Sequence, residues 1–227
     1  MKRIGLIGGM TPESTLYYYR NYIRMSRELF GPFTFPELIV YSINFAEFKD
    51  NPRGWEGRKE LLINAARALE KAGAEIIAMS ANTPHMIFPE VQKAVNVPMV
   101  SIIDALIEEI RRRGVKKALL LGTKTTMTAD FYRNALREAG FEVVTPTGEE
   151  MEEVNRIIFE ELSFENLRSR SYLIALIERY AKERGIEGVI LGCTELPLAI
   201  KPGDVSVEIF DTAKIHMRKL IELASGF

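Results

Sequence analysis

The chain has 227 residues, 47% apolar and 27% charged, with a formal net charge of −1 and a mean hydropathy of −0.03. That balance is ordinary for a globular protein and leaves no electrostatic footprint for nucleic acid or an anionic membrane surface. One cysteine excludes an intrachain disulfide, which fits a reducing cytoplasm, and one Cys with two His is a poor donor set for a structural metal. Glutamine occurs once, at Gln92, against abundant Glu, Lys and Arg, a composition that leans towards a thermophile.

Met1-Lys2-Arg3 has the look of a secretion-signal start, but the apolar run behind it is short and breaks at Gly8-Gly9, so residues 3–8 read as a first strand. Further strands are expected at 37–43, 75–80, 98–103, 117–122, 142–145, 187–192 and 206–210. Between them the periodicity predicts helices at 13–28, 56–72, 87–94, 104–113, 128–139, 149–162, 165–184 and 211–225. The strands are continuous apolar runs rather than alternating ones, as in parallel sheets covered on both faces. No window reaches a membrane-spanning length.

The chain also repeats itself. Leu6-Ile7-Gly8-Gly9 and Leu120-Leu121-Gly122-Thr123 close apolar runs 114 positions apart. Ser80-Ala81-Asn82-Thr83 and Gly192-Cys193-Thr194-Glu195 do so 112 apart, and Val100-Ser101-Ile102-Ile103-Asp104 and Val207-Glu208-Ile209-Phe210-Asp211 are 107 apart. Three landmarks in one order at near-constant offset imply two copies of one α/β unit. The expected fold is two similar flavodoxin-like domains with parallel sheets, related by a pseudo-twofold with a cleft between them. Residues 1–97 plus 211–227 form the first and 98–210 the second, so that each half borrows a terminal helix from the other.

Ligands of such sheets bind beyond the carboxyl ends of the strands, which points to the loops 8–14, 42–59, 81–85, 123–128 and 193–197. These are rich in Thr, Asn and Gly, and several run directly into helices, whose N-termini favour an anion such as a carboxylate or phosphate. Cys193 follows a strand and Gly192 at a strand-to-helix turn, where a helix N-terminus favours thiolate, so it is the expected base or nucleophile. Gly8-Gly9-Met10 lacks the third glycine of a dinucleotide fingerprint. Asn82, Thr83, Thr123 and Thr126 can cap helices or hold a ligand. Arg53 and Arg58 are candidates to clamp a distal carboxylate. His85, beyond Pro84, and His216, in the last helix, are read as structural, with proton transfer as the alternative for His85.

Together, Ile7-Gly8-Gly9-Met10, Asn82-Thr83-x-His85, Leu121-Gly122-Thr123 and Gly192-Cys193-Thr194-Glu195 resemble the aspartate/glutamate racemase family. The resemblance runs from end to end and is strongest at 192–197 and at Phe210-Asp211-Thr212-Ala213. It implies a cofactor-independent amino-acid isomerase, commonly a homodimer, with a small amino acid or carboxylate as substrate and no nucleic-acid or membrane partner. In such racemases two cysteines face each other across the substrate α-carbon. Cys193 matches the second; the first position is held by Ala81, whose methyl group cannot carry a proton. Substrate contacts are expected at Met10, Asn82, Thr83, Thr123, Thr126, Thr194 and Glu195, with Arg53 or Arg58 on the distal group. Ser42-Ile43-Asn44-Phe45 resembles the L-aspartate/glutamate-specific branch, where the first cysteine is not always present. Ala81 leaves three origins open: an engineered knock-out, a natural variant with another group supplying the proton, or a move to single-cysteine chemistry such as decarboxylation. A homologue that binds a small carboxylate without turnover is a further alternative.

Overall fold

A computed structural model describes residues 1–226. Two compact units divide the chain. The first is Met1–Ala105 together with the residues from Ala213 onward, and the second is Leu106–Thr212.

The first unit runs β1 (Ile4–Gly8), α1 (Pro12–Phe30), β2 (Leu38–Ser42), α2 (Phe45–Lys49), α3 (Gly54–Lys71), β3 (Ile76–Met79), a 3₁₀ turn (Thr83–Ile87), α4 (Phe88–Lys93), β4 (Met99–Val100) and the start of α5 (Ile102–Arg113). Its four strands are parallel in the order β2-β1-β3-β4. The second unit continues with β5 (Lys117–Leu121), α6 (Lys124–Thr128), α7 (Asp130–Glu138), β6 (Glu142–Val144), α8 (Gly148–Arg156), α9 (Arg170–Arg184), β7 (Gly188–Leu191), α10 (Leu196–Ala199) and β8 (Glu208–Asp211), and α11 (Thr212–Ser225) follows. Its sheet, β6-β5-β7-β8, is again parallel and repeats the order of the first. The expected duplication and α/β class are therefore present.

Each sheet is covered because its strands carry apolar side chains on both faces. Ile7, Ile77 and Met79 pack with Leu62, Ala65 and Leu69 of α3. Ile4, Leu6 and Ala78 pack on the other face with Tyr18 of α1 and Met217 and Leu220 of α11. In the second unit Leu119, Val189 and Leu191 pack with Ile157, Leu173 and Ile177. Full burial of each such aliphatic side chain is worth about 1.5–3 kcal/mol.

The unit boundaries lie further along than the residues suggest. Ile77 and Ala78 pair with Met99 and Val100, so β4 belongs to the first sheet and the division falls after Ala105 rather than at 97. The helix exchange is present: α5 follows β4 but from Leu106 belongs to the second unit, and α11 follows β8 but from Ala213 belongs to the first.

Four further differences are local. Asn44 accepts from Ala46 N at 3.1 Å and nucleates α2, which apolar periodicity does not show. The helix expected at 128–139 is α7, and a short helix not expected from the periodicity, α6, precedes it, separated from it by Ala129, which is extended (φ −70°, ψ 140°). The helix expected through 162 ends at Arg156 and widens into a π turn over Ile157–Glu161. The helix expected from 165 begins at Arg170, since Glu165 sits at φ 56° and stops any earlier start.

Candidate active site

In the second unit β7 hands over to the Gly192–Glu195 turn. Gly192 N donates to Leu121 O at 2.7 Å, which holds the end of β7 beside β5. A Cβ at residue 192 would lie 2.9 Å from that carbonyl, so only glycine fits. Thr212 Oγ1 donates to Leu191 O at 2.8 Å and fixes the strand end from the β8 side. The next residue is Cys193, half-buried and packed against the apolar core of the second unit.

The thiol has a specific partner. Cys193 Sγ donates to Glu195 Oε2 at 2.8 Å, and Thr194 Oγ1 donates to the same oxygen at 2.9 Å. Glu195 is 5% exposed. Burial, then the Glu195 carboxylate, push the Cys193 pKa well above the ordinary thiol value, outweighing the backbone N–H groups of Glu195 and Thr194 that favour thiolate. The expectation of a thiolate stabilised by a helix N-terminus is therefore corrected. α10 is a single turn, and a carboxylate two residues away dominates it.

Thr123 and Thr126 sit at the neighbouring strand end. Thr123 caps α6, accepting from Thr126 N at 3.3 Å, and the two hydroxyls lie 3.1 Å apart. Thr126 is fully buried. Its methyl group would meet a Cβ on Gly122 at 3.1 Å and one on Gly192 at 3.3 Å, so it wedges the two turns together.

The first unit builds the matching turn differently. Ser80 N donates to Ile7 O at 2.9 Å. Ser14 Oγ donates to Ser80 O. Ala81 packs half-buried against Ile77, Met79 and the α3–α4 core, and Asn82 is buried. Thr83 opens the 3₁₀ turn. Met10 is buried in the same core, behind Gly9, whose φ of 86° and whose approach to Ile43 O (2.2 Å from an added Cβ) admit no side chain.

His85 ties this turn down. One ring nitrogen, Nδ1, lies 2.9 Å from Ala81 O, and the other, Nε2, accepts from Ile102 N at 3.1 Å. Burial, then the neighbouring His216, push its pKa down to about 3, so the ring is neutral. With both nitrogens engaged, no proton-transfer role remains for it.

The two arginines are tied up within the α2–α3 corner. Arg58 Nη2 donates to Lys49 O at 2.7 Å, and its guanidinium lies 4.9 Å from the Trp55 ring and 5.7 Å from Phe48. Arg53 is exposed and pairs with Glu60. Among the described residues no group of three or more His, Cys, Asp or Glu is gathered to hold a metal. No described helix is long and apolar enough to cross a membrane. The structure thus joins Cys193, Thr194 and Glu195 in one cluster and Thr123 with Thr126 in another, and keeps Ala81, Asn82 and Thr83 on the corresponding turn of the first unit. The anchoring roles of Ser14 and His85 have no signal in the residue pattern, because their partners are backbone groups, and Ser80 O and Ile102 N lie 66 and 17 positions away.

The chain thus has two like-wound α/β units, the second of which carries a thiol–carboxylate turn at a strand end. Residues 7–220 match the family described as Asp/Glu/Hydantoin racemase, and the chain belongs to that family. It is similar to an aspartate racemase homologue from Pyrococcus horikoshii OT3, with 70% identity, 99% of this chain and 100% of that one covered, and a TM-score of 0.93. It is 34% identical to a broad specificity amino-acid racemase of Bacillus subtilis over 62% of this chain and 63% of the relative. It is 30% identical to a glutamate racemase of Aquifex pyrophilus over 64% of this chain and 58% of the relative. The chain thus spans less than two thirds of the length of these curated relatives.

Proposed function

We propose that this protein is an amino-acid racemase of the aspartate/glutamate type that works without pyridoxal phosphate and moves the α-proton through Cys193. The observation that carries the reading is the short Sγ–Oε2 contact between Cys193 and Glu195. In the resting state the thiol is protonated, and Glu195 is the group positioned to take that proton when substrate arrives. The thiolate then removes the α-proton, and the electron pair of the broken Cα–H bond moves into the substrate carboxylate. Donors at the strand-end turns, Thr194 and Thr123 among them, stabilise the resulting dianion-like state. Reprotonation from the Cys193 thiol restores the original face. The family's second thiol would serve the opposite face, and Ala81 has none, so exchange at one face outpaces inversion.

The substrate class follows less from the arginines than from the carboxylate chemistry common to all α-amino acids. Arg58 and Arg53 already have partners, and the curated relatives include both a glutamate racemase and a broad specificity enzyme. A homodimeric state, a cytoplasmic location and a thermophilic source belong to the same proposal. They rest on the family and on composition.

The test is proton NMR in deuterated water with each enantiomer of aspartate, glutamate and a panel of neutral amino acids. The expected result is loss of the α-proton signal from one enantiomer. Cys193→Ala should reduce that exchange at least about 10²-fold, the usual contribution of a positioned general base; retained exchange would remove Cys193 from the mechanism. One observation favours a second reading. A methyl group at Ala81 suits a protein that holds a carboxylate without turnover, and tight amino-acid binding with no exchange by the wild type would select it.

A further inference from the structure

Both histidines of the chain lie in the first unit, and both are buried, 4% exposed at His85 and 0% at His216. Each has two hydrogen-bond partners, and the partners dictate which nitrogen carries the proton. Ile102 N–H can only donate, so His85 Nε2 is the acceptor and Nδ1–H must donate to Ala81 O. Val100 O can only accept, so His216 carries its proton on Nε2, and its Nδ1 accepts from Tyr18 O–H at 2.9 Å. The two rings are therefore opposite tautomers. They meet edge to face with centroids 5.9 Å apart, and His85 stacks on Phe88 at 5.4 Å.

The backbone groups they join are not neighbours in sequence. Tyr18 is on α1, His216 on α11, Val100 ends β4, Ile102 starts α5, and Ala81 follows β3. Here a planar ring bridges a carbonyl and an amide at fixed span, and its plane is set by the stack on Phe88. A rigid bridge of that kind fixes both position and orientation of the carbonyl it holds.

We propose that His85 is a positioning residue for the Ala81–Thr83 turn, locking the Ala81 carbonyl to the first turn of α5 through a single Nδ1–H tautomer, with His216 and Tyr18 as its support. Its kinetic consequence rests on the racemase reading, in which this turn takes part in holding substrate. Its structural consequence does not.

The experiment has two arms on the full chain. The first is nitrogen-15 NMR of the imidazoles together with amide exchange at Ile102. The expected result is an Nδ1–H ring at His85, an Nε2–H ring at His216, and an Ile102 amide protected in the wild type and exposed in His85→Phe. The second arm is kinetics of α-proton exchange. His85→Phe keeps the stack on Phe88 but makes neither hydrogen bond, and should lower kcat about tenfold with a smaller change in KM. His85→Asn keeps a donor near the Nδ1 position and should recover part of that loss. An Nε2–H ring at His85, an unchanged kcat in His85→Phe, or equal losses in the Phe and Asn variants would overturn the proposal. If the wild type exchanges no amino acid, the racemase reading fails, and the tautomers with the Ile102 amide still decide the clamp.

Discussion

The turn after β3 and the turn after β7 occupy the same place in two copies of one sheet, yet they are built for different tasks. The first is neutral and overdetermined: Ser14 and His85 hold the successive carbonyls of Ser80 and Ala81, and Ala81 presents only a methyl group. The second is ionisable: a thiol and a threonine hydroxyl converge on one carboxylate oxygen. The duplication supplied equal frames, and only the second carries an ionisable thiol–carboxylate pair. A sheet of this kind therefore fixes where a reactive group can stand without fixing whether one stands there.

The largest expected effect within that comparison comes from Glu195→Gln, which keeps the shape of the second turn and removes its charge. The Cys193 thiol is held protonated by burial first and by the Glu195 carboxylate second. Removing the charge should lower the thiol pKa, so alkylation of Cys193 by iodoacetamide should quicken at pH 8. Loss of the proton acceptor should at the same time reduce α-proton exchange about 10²-fold. Faster alkylation with undiminished exchange would show that Glu195 tunes the thiol without taking its proton.

A smaller effect is expected from Ala81→Cys, which makes the two turns alike. The residue is half-buried against Met79 and the α3–α4 core, so one sulfur atom is accommodated at modest cost. Inversion of the substrate relative to simple exchange should rise about tenfold, since a new acid placed by family geometry is rarely placed as well as a selected one. No rise in inversion, with Cys193 still active, would mean that the first turn has moved away from that geometry. Ser80 offers no natural substitute: strand alternation sends its hydroxyl to the face of Ile76 and Ala78, opposite that of Ile77, Met79 and Ala81.

Much of this architecture was legible in the residues. Continuous apolar runs located all eight strands to within about two residues in each case but β4, where the run 98–103 enters α5 at Ile102. The offsets between the repeated landmarks exposed the duplication, because two copies of one frame must place their turns at one spacing. What was not legible depended on partners remote in sequence. Tyr18 meets His216 across 198 positions. Glu161 reads as one more surface acid in a helix, yet it is 1% exposed. Burial pushes its carboxyl up, but hydrogen bonds from Arg156, Ser169 and Arg168 outweigh it and hold it down at about 2. Arg58 reads as a free cation, and its aromatic cradle emerges only when α2 folds onto α3. Cys193 was legible as a thiol at a strand end, but its partner was not, because spacing shows Glu195 two residues away without showing that its carboxylate turns back onto the sulfur.

The mildest perturbation is acid, and it should separate the two units. A histidine free in the unfolded chain has a pKa of about 6.5. Burial, with His216 as second cause, pushes His85 down to about 3, and burial pushes His216 down to about 4. Between pH 6.5 and 4 the unfolded chain therefore binds protons that the folded first unit does not, and stability must fall as the pH falls. The second unit has neither histidine. Its shifted carboxyls are all held down, Glu109 and Glu161 to about 2 against an ordinary 4.5, and Glu150, Glu153 and Asp204 likewise below their ordinary values. Their contribution is complete above about pH 4.5 and is lost only below it. Hydrogen-exchange mass spectrometry at pH 7 and at pH 5, corrected for the intrinsic rate, should show protection decreasing first over Thr83–Ile87 and α11 and holding over β5 and β7. Equal losses in both sheets would mean that the units unfold as one, and that the neutral clamp of the first turn is shared by the whole molecule rather than confined to its own half.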